Sequence, residues 1–247
     1  LGIAADSKDI NENNALNVAL QAGEEAAVDY ALNDLKLTLD NSRNRFDQHP
    51  LNHAILSGKV ALVEKIAKKL NLSADHLPEL NEMDKHPGFY AVVAGDAKLL
   101  QWVHEHYRLS ADLLDDRENN LFLEACCHGN LTAARFCIDV LQINPHATDK
   151  FGFNALHHAG RSDNLALMRY LVEDLQVDSR QLTQQGYAPI DFANNKKSFY
   201  YLRLLGLELT HPWEEKGRRI DNTPLLQLAN VAAEEMVKEV PELADVR

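Results

Sequence analysis

Small apolar residues recur along this chain at a nearly constant interval. An alanine is followed four residues later by glycine at four places, and by a polar residue at two more. A fixed interval of this length predicts a repeat architecture rather than an irregular globular fold. The alanines of the six copies are 34 to 37 residues apart, at Ala19, Ala54, Ala91, Ala125, Ala159 and Ala193.

Each copy of this pattern predicts two short helices joined by a tight turn. The first helix is expected to end near the glycine, because glycine readily adopts the positive φ that closes many helices. The second helix carries an apolar stripe with the 3.6-residue helical period, as Leu62, Ile66 and Leu70 illustrate. The residue five positions before the alanine is polar in most copies, namely Asn14, His49, His86, Asn120, Asn154 and, as the exception, Ala188.

Two of the copies resemble a known repeat signature. Residues 154–159, Asn-Ala-Leu-His-His-Ala, and residues 188–193, Ala-Pro-Ile-Asp-Phe-Ala, are similar to the Thr-Pro-Leu-His-x-Ala motif of ankyrin repeats. The Trp, Tyr and Pro marks of tetratricopeptide repeats, which share the period, do not occur. On this resemblance the chain is identified as a member of the ankyrin-repeat family over residues 10–235.

The resemblance implies an all-α ankyrin-repeat solenoid of six to seven helix-turn-helix repeats with short hairpin loops. Residues 1–247 are expected to form a single domain in which neighbouring repeats stabilise one another. Residues 211–219 break the helical pattern, and the sequence leaves their structure open. The repeats are expected to begin near Asn14, His49, His86, Asn120, Asn154 and Ala188, with a degenerate capping repeat near Thr223.

Charge and hydropathy exclude several classes of partner. Acidic residues outnumber basic ones by 37 to 25, which gives a formal net charge of −12 and disfavours binding to nucleic acid. No run of about 18 uncharged apolar residues is present, so membrane insertion is not expected. The amino-terminal residues carry no basic and apolar leader pattern. These features predict a soluble, intracellular protein.

Cysteine and histidine are the candidate residues for chemistry. Cys126 and Cys137 fall at apolar positions of the repeat and are predicted to be buried, whereas Cys127 and His128 occupy variable positions. Neither C-x2-C nor H-E-x-x-H spacing occurs, so we expect no metal, no cofactor and no catalytic residue. Two alternatives remain: a cysteine-dependent activity at Cys127, or a targeting or scaffold role for the chain within a larger enzyme.

The resemblance also implies where a partner would bind. Ankyrin repeats recognise proteins with their loop tips and with the inner-helix positions just before the glycine. In this chain those positions hold bases and aromatic rings, which are enriched at binding hot spots. An alternative is that the phenylalanines pack against neighbouring loops. The candidate partner-binding residues are Arg117, His128, Lys150, Phe151, Phe153, Arg161, Tyr187 and Lys196.

Charge distribution and composition extend this hypothesis. The formal net charge is +1 over residues 140–206 and −13 over the rest, which favours a partner with an acidic segment. Divergent repeats and a composition rich in Asn (20) and His (11) resemble ankyrin effectors that intracellular bacteria deliver into host cells. We therefore expect a monomeric, non-enzymatic interaction module that acts on a host protein through its concave face and loop tips, after secretion into the host cytosol.

Overall fold

Short α-helices are the main regular elements of the computed structural model. The structure describes residues 7–39, 42–73, 86–210, 231 and 233–246. Within these ranges there is no β-strand, although an isolated antiparallel bridge joins Thr148 and Asn154. Residues 1–116 and 117–247 form two compact units. The prediction of an all-α ankyrin-repeat fold is confirmed, and the single-domain assignment stays a prediction.

The first unit contains three helix pairs. The inner helices α1, α3 and α5 pack on one another in chain order, and each packs on the outer helix that follows it. Their bounds are α1 (Ala15–Ala22), α2 (Glu25–Asn33), α3 (Pro50–Leu56), α4 (Val60–Lys69), α5 (Pro87–Ala94) and α6 (Ala97–Tyr107).

The second unit also contains packed helix pairs and ends in a short acidic segment. Helix α7 packs on both α8 and α9, and α10 packs on α11. The α-helices are α7 (Leu121–Cys127), α8 (Leu131–Asp139), α9 (Ala155–Ala159), α10 (Leu165–Arg169), α11 (Lys196–Leu204) and α12 (Ala233–Glu239). A π-helical turn (Tyr170–Asp174) extends α10, and 3-10 turns cover Pro189–Phe192 and Pro241–Leu243.

The polar residue that marks each copy in the sequence is the N-cap of its inner helix. In five copies its side chain accepts a hydrogen bond from a backbone N–H of the first helical turn. Such a cap satisfies a donor that the helix itself leaves unpaired. The asparagines accept with Oδ1 and the histidines with Nδ1, at Asn14, His49, His86, Asn120 and Asn154.

The expected positive φ at the glycines that follow the inner helices is confirmed. The four glycines have φ between 67° and 74°. At Gly129 the next repeat also approaches closely: a Cβ there would lie 2.7 Å from Ser162 Cβ, and Asn164 Nδ2 donates to the Gly129 carbonyl over 2.8 Å. Glycine is therefore required both by the backbone conformation and by the adjoining repeat.

The recurring alanines are buried, and we expect a larger side chain there to destabilise the fold. Ala125 is 0% exposed on α7. Ala125→Leu is expected to lower the free energy of unfolding by roughly 1–3 kcal/mol through overpacking, as measured by urea denaturation. Ala166→Leu, at an exposed position of α10, is the matched control and should leave stability unchanged. A neutral Ala125→Leu would mean that the assigned repeat register is wrong.

The sixth repeat departs from the predicted pair of helices. Its first helix is only the 3-10 turn Pro189–Phe192, and Ala193 then adopts an extended conformation with ψ 118°. Asn194 N–H donates to the Gly160 carbonyl of the preceding repeat over 3.3 Å. At this point the backbone therefore leaves the helical conformation and forms a hydrogen bond with the preceding repeat. The degenerate repeat near Thr223 and the pattern break at residues 211–219 lie outside the described residues.

Candidate partner-binding surface

The hairpin loop before α9 is held by one carboxylate. Asp149 Oδ1 accepts hydrogen bonds from the backbone N–H groups of Phe151 and Phe153, both over 2.9 Å. Gly152 lies between them with φ 85°, a conformation that favours glycine. This local turn places Lys150 and Phe151 at the tip of the loop.

Backbone hydrogen bonds connect the loop tips of repeats four, five and six. Lys150 N–H donates to the Arg117 carbonyl, and Gln184 N–H donates to the Phe151 carbonyl, each over 3.0 Å. Gln184 Nε2 also donates to the Lys150 carbonyl over 2.8 Å. The three loop tips therefore form a continuous row, which we call the loop-tip row. Its exposed members Arg117, Lys150 and Phe151 were all candidates from the sequence.

The most exposed aromatic ring of the loop-tip row is Phe151. It is 43% exposed, and the Lys150 Nζ lies 5.3 Å from its ring centroid. The loop of repeat two repeats this arrangement: Phe46 is 38% exposed, and the Arg45 guanidinium carbon lies 4.7 Å from its ring. An exposed ring beside a cation is a combination suited to anchoring a partner.

Phe153 is not the solvent-facing ring that the sequence analysis expects. It is half-buried, and its ring centroid lies 4.7 Å from that of Phe192 and 5.4 Å from that of His157. Tyr187 is also half-buried and lies 5.8 Å from Phe192. The alternative of packing against the neighbouring loop thus applies to Phe153 and not to Phe151. The reason is that the sixth repeat places Phe192 against the Phe153 ring of the fifth repeat. Phe192 was not among the residues singled out from the sequence.

His157 and His158 belong to the support beneath this loop. His157 is fully buried, and burial lowers its pKa to about 4. Its Nδ1 accepts the N–H of Asn154, and its Nε2 lies 3.2 Å from the Tyr187 carbonyl oxygen. His158 Nε2 lies 3.8 Å from an Asp149 carboxylate oxygen. These rings connect the N-cap of α9 to the two adjoining loops.

The remaining candidates occupy different surroundings. Arg161 and His128 are exposed next to the inner helices, and His128 Nε2 lies 3.8 Å from Glu124 Oε1. Lys196 is the first residue of α11, where its Nζ lies 3.0 Å from Glu239 Oε2 in the carboxyl-terminal segment. Lys196 therefore already forms an ion pair within the chain, which the sequence analysis did not foresee.

The thiols divide into buried and accessible groups. Cys126 and Cys137 are 0% exposed, as predicted. Burial raises the pKa of Cys126 well above its usual range and that of Cys137 to about 12, so both remain protonated and poorly nucleophilic near neutral pH. Cys127 is half-buried. In the part of the chain that the structure describes, no group of three or more histidine, cysteine or acidic side chains could hold a metal ion.

No helix in the described ranges has the length and apolar character needed to cross a membrane.

Comparisons with known proteins agree with this architecture. A model of ankyrin repeats in three copies matches residues 89–205. The human ASB11 ankyrin repeat domain is 20% identical with a TM-score of 0.57, and the match covers 85% of this chain and 90% of that one. A chain from the complex of a predatory endopeptidase from Bdellovibrio bacteriovorus with an immunity protein is 18% identical with a TM-score of 0.53, covering 80% and 98%.

Below a quarter identity these structural matches show a shared fold. A sequence comparison with curated proteins finds no significant match. Ankyrin repeats are typically non-enzymatic modules for protein–protein interaction. The match over residues 89–205 and the shared repeat fold lead to one conclusion: residues 89–205 are ankyrin repeats, and the described part of the chain has the ankyrin-repeat fold.

Proposed function

We propose that this chain binds a partner protein through the loop-tip row and the adjoining exposed positions Arg161 and His128. The observation that carries the proposal is Phe151, an exposed ring beside Lys150 on a loop that backbone hydrogen bonds fix to both neighbours. A rigid, preorganised anchor loses little conformational entropy on binding. Phe153 and Tyr187 contribute to binding indirectly, because both pack against Phe192 and so help to hold the loop in place.

We infer that the partner presents an acidic segment to this surface. Lys150 and Arg161 are exposed bases within residues 140–206, the region of positive formal charge, and Arg117 is a further exposed base whose carbonyl accepts the Lys150 N–H, whereas the chain as a whole is strongly acidic. Charge complementarity of this kind steers association and selects among partners. The proposed setting, a bacterial effector that acts on a host protein in the host cytosol, draws on the divergent repeats and the composition.

Affinity capture from a eukaryotic lysate, followed by mass spectrometry, would identify the partner for quantitative tests. Phe151→Ala is then expected to weaken binding by about 2 kcal/mol or more, roughly thirty-fold in Kd, without changing the melting temperature. Phe153→Ala should instead lower the melting temperature, because it removes the contact with Phe192. Isothermal titration calorimetry and thermal denaturation separate these two effects.

The chain supplies a matched control for this prediction. Phe46→Ala makes the same change at the equivalent exposed tip of repeat two. If the loop-tip row is the binding site, Phe46→Ala leaves the partner Kd within about two-fold of wild type. The proposal would be wrong if Phe46→Ala abolished binding while Phe151→Ala had no effect.

A further inference from the structure

The first repeat exposes apolar side chains on both of its helices. Ala15, Val18 and Ala22 lie on one side of α1 at the spacing i, i+3 and i+7, and all three are exposed. On α2, Ala27 and Tyr30 are exposed one turn apart. Val18 is 53% exposed and Tyr30 is 56% exposed. We call these five residues the first-repeat face.

In later repeats the equivalent positions are buried. Val18 directly precedes its recurring alanine, and in repeats two to four the equivalent residues are no more than 9% exposed, namely His53, Tyr90 and Glu124. Ala27 follows its alanine by eight residues, and in repeats two to five the equivalent residues are 0% exposed, namely Leu62, Leu99, Ala133 and Leu167. The end of a repeat array normally carries polar residues on its outer face. The first repeat instead has the composition of an internal repeat.

Tyr30 holds a register position that contacts the preceding repeat elsewhere in the array. It follows the recurring alanine by eleven residues, as Lys65 and Trp102 do in repeats two and three. The Lys65 Nζ lies 2.7 Å from Asp29 Oδ1, and Trp102 Nε1 donates to Glu64 Oε1 over 3.1 Å. Both acids belong to the preceding outer helix, ten residues after its alanine. The Tyr30 ring is thus placed to contact a helix that packs on the first repeat from outside.

Repeat five shows which side chain a tyrosine at this position contacts. Tyr170 is the equivalent of Tyr30, and the Arg135 guanidinium carbon of repeat four lies 4.3 Å from its ring centroid. Arg135 again lies ten residues after its alanine. Tyr170, which the preceding repeat covers, is 6% exposed, against 56% for Tyr30. Because a cation over a tyrosine ring is stabilising and is most often arginine, the first-repeat face is suited to an arginine supplied by another molecule.

Charge around the first-repeat face also favours a basic occupant. Residues 7–39 contain two lysines and six acids, which gives a formal net charge of −4. Glu24 and Glu25 are exposed at the start of α2, and Asp34 is exposed just after its end. An apolar surface bordered by carboxylates is complementary to a helix that has one apolar side and basic flanks.

We propose that the first-repeat face is a docking site for a basic amphipathic helix of a partner protein. The helix packs where a preceding repeat would pack. Its apolar residues, at every third or fourth position, cover Val18 and the alanines, and one arginine lies over the Tyr30 ring. The inference is independent of the proposed function, because the loop-tip row belongs to the second unit and is expected to take an acidic segment.

The test uses the 247-residue chain and two fluorescein-labelled synthetic peptides of about 18 residues. The striped peptide has leucine at every third or fourth position and arginine at most others. The scattered peptide has the same composition and charge but its leucines do not share one helix face. Fluorescence anisotropy is expected to show that the chain binds the striped peptide at least about ten-fold more tightly.

Variants of the first-repeat face locate this binding. Val18→Lys places a charge on the apolar surface and should weaken binding of the striped peptide at least about ten-fold. Val140→Lys is the matched control, because it makes the same charge change at a residue that is 45% exposed in the second unit, and it should leave the Kd within about two-fold. Tyr30→Leu should weaken binding at least about three-fold, whereas Tyr30→Phe keeps the ring and should retain it.

Amide hydrogen exchange tests the wild-type protein without any substitution. Excess striped peptide should slow exchange in residues 15–33, which form the two helices of the first repeat. Unchanged exchange, equal binding of the striped and scattered peptides, or equal effects of Val18→Lys and Val140→Lys would overturn the proposal. So would a concentration-dependent dimer that Val18→Lys abolishes, because the occupant would then be a second copy of this chain.

Discussion

Leu156→Ala is expected to lower the free energy of unfolding by roughly 2–5 kcal/mol. Leu156 is 0% exposed on α9, a helix of only five residues that packs against both α7 and the 3-10 turn of the sixth repeat. Deleting this buried side chain removes core contacts and leaves a cavity that the short helix can fill only by shifting its position. Urea denaturation followed by circular dichroism measures the loss.

The control for this prediction is Leu182→Ala. Leu182 belongs to the same unit but is 53% exposed, so the same chemical change should alter stability by no more than about 0.5 kcal/mol. In an array of repeats the loss at Leu156 also weakens the interfaces with both neighbours, and the second unit should still unfold cooperatively. Equal effects of the two substitutions would show that the Leu156 side chain is not packed in the core.

Much of the fold is predictable from sequence because the same backbone requirements recur at the ends of the inner helices. In repeats one to four, the polar residue before the inner helix and the glycine after it mark positions where the backbone needs a hydrogen-bond acceptor or a positive φ. Asn120 and Gly129 illustrate the pair in repeat four. The sixth repeat breaks the rule through its bond from Asn194 to Gly160, and such a tertiary contact leaves no periodic signal in the chain.

The candidate surface is predictable only where exposure follows from local geometry. Phe151 sits at the tip of a turn that Asp149 and Gly152 define, so its exposure is a local property. Phe153 and Lys196 instead meet partners distant in sequence, Phe192 and Glu239. A repeat register assigns a position to each side chain but does not reveal which neighbour will cover it.

Acidification from about pH 7 to pH 4.5 is expected to destabilise the fold because two buried histidines and one half-buried histidine are held neutral. Burial lowers the pKa of His53, His86 and His157 to about 4. Among the described residues, neither ring nitrogen of His53 has a hydrogen-bond partner, so nothing there would compensate a charge. His86 accepts the Gly88 N–H with Nδ1, and protonation of that nitrogen would remove the cap of α5.

The sign of the effect follows from proton binding. The folded pKa values of about 4 lie below the usual value of about 6.5, so the unfolded chain binds more protons between these limits. Stability from these groups is fully present above about pH 6.5 and declines as the pH falls toward 4. Each histidine contributes at most about 1.4 kcal/mol per pH unit to this decline.

His86→Asn isolates one of these contributions, because asparagine is the N-cap at the equivalent position of repeats one, four and five. The substitution keeps a cap acceptor for α5 and removes the titrating ring. Between about pH 6.5 and pH 4.5 the variant is expected to lose less stability than wild type, by at most about 3 kcal/mol. Urea denaturation at several pH values measures the difference. Parallel curves for the two proteins would mean that His86 accepts a proton in the folded state as readily as in the unfolded chain, which is incompatible with its role as a neutral, half-buried cap.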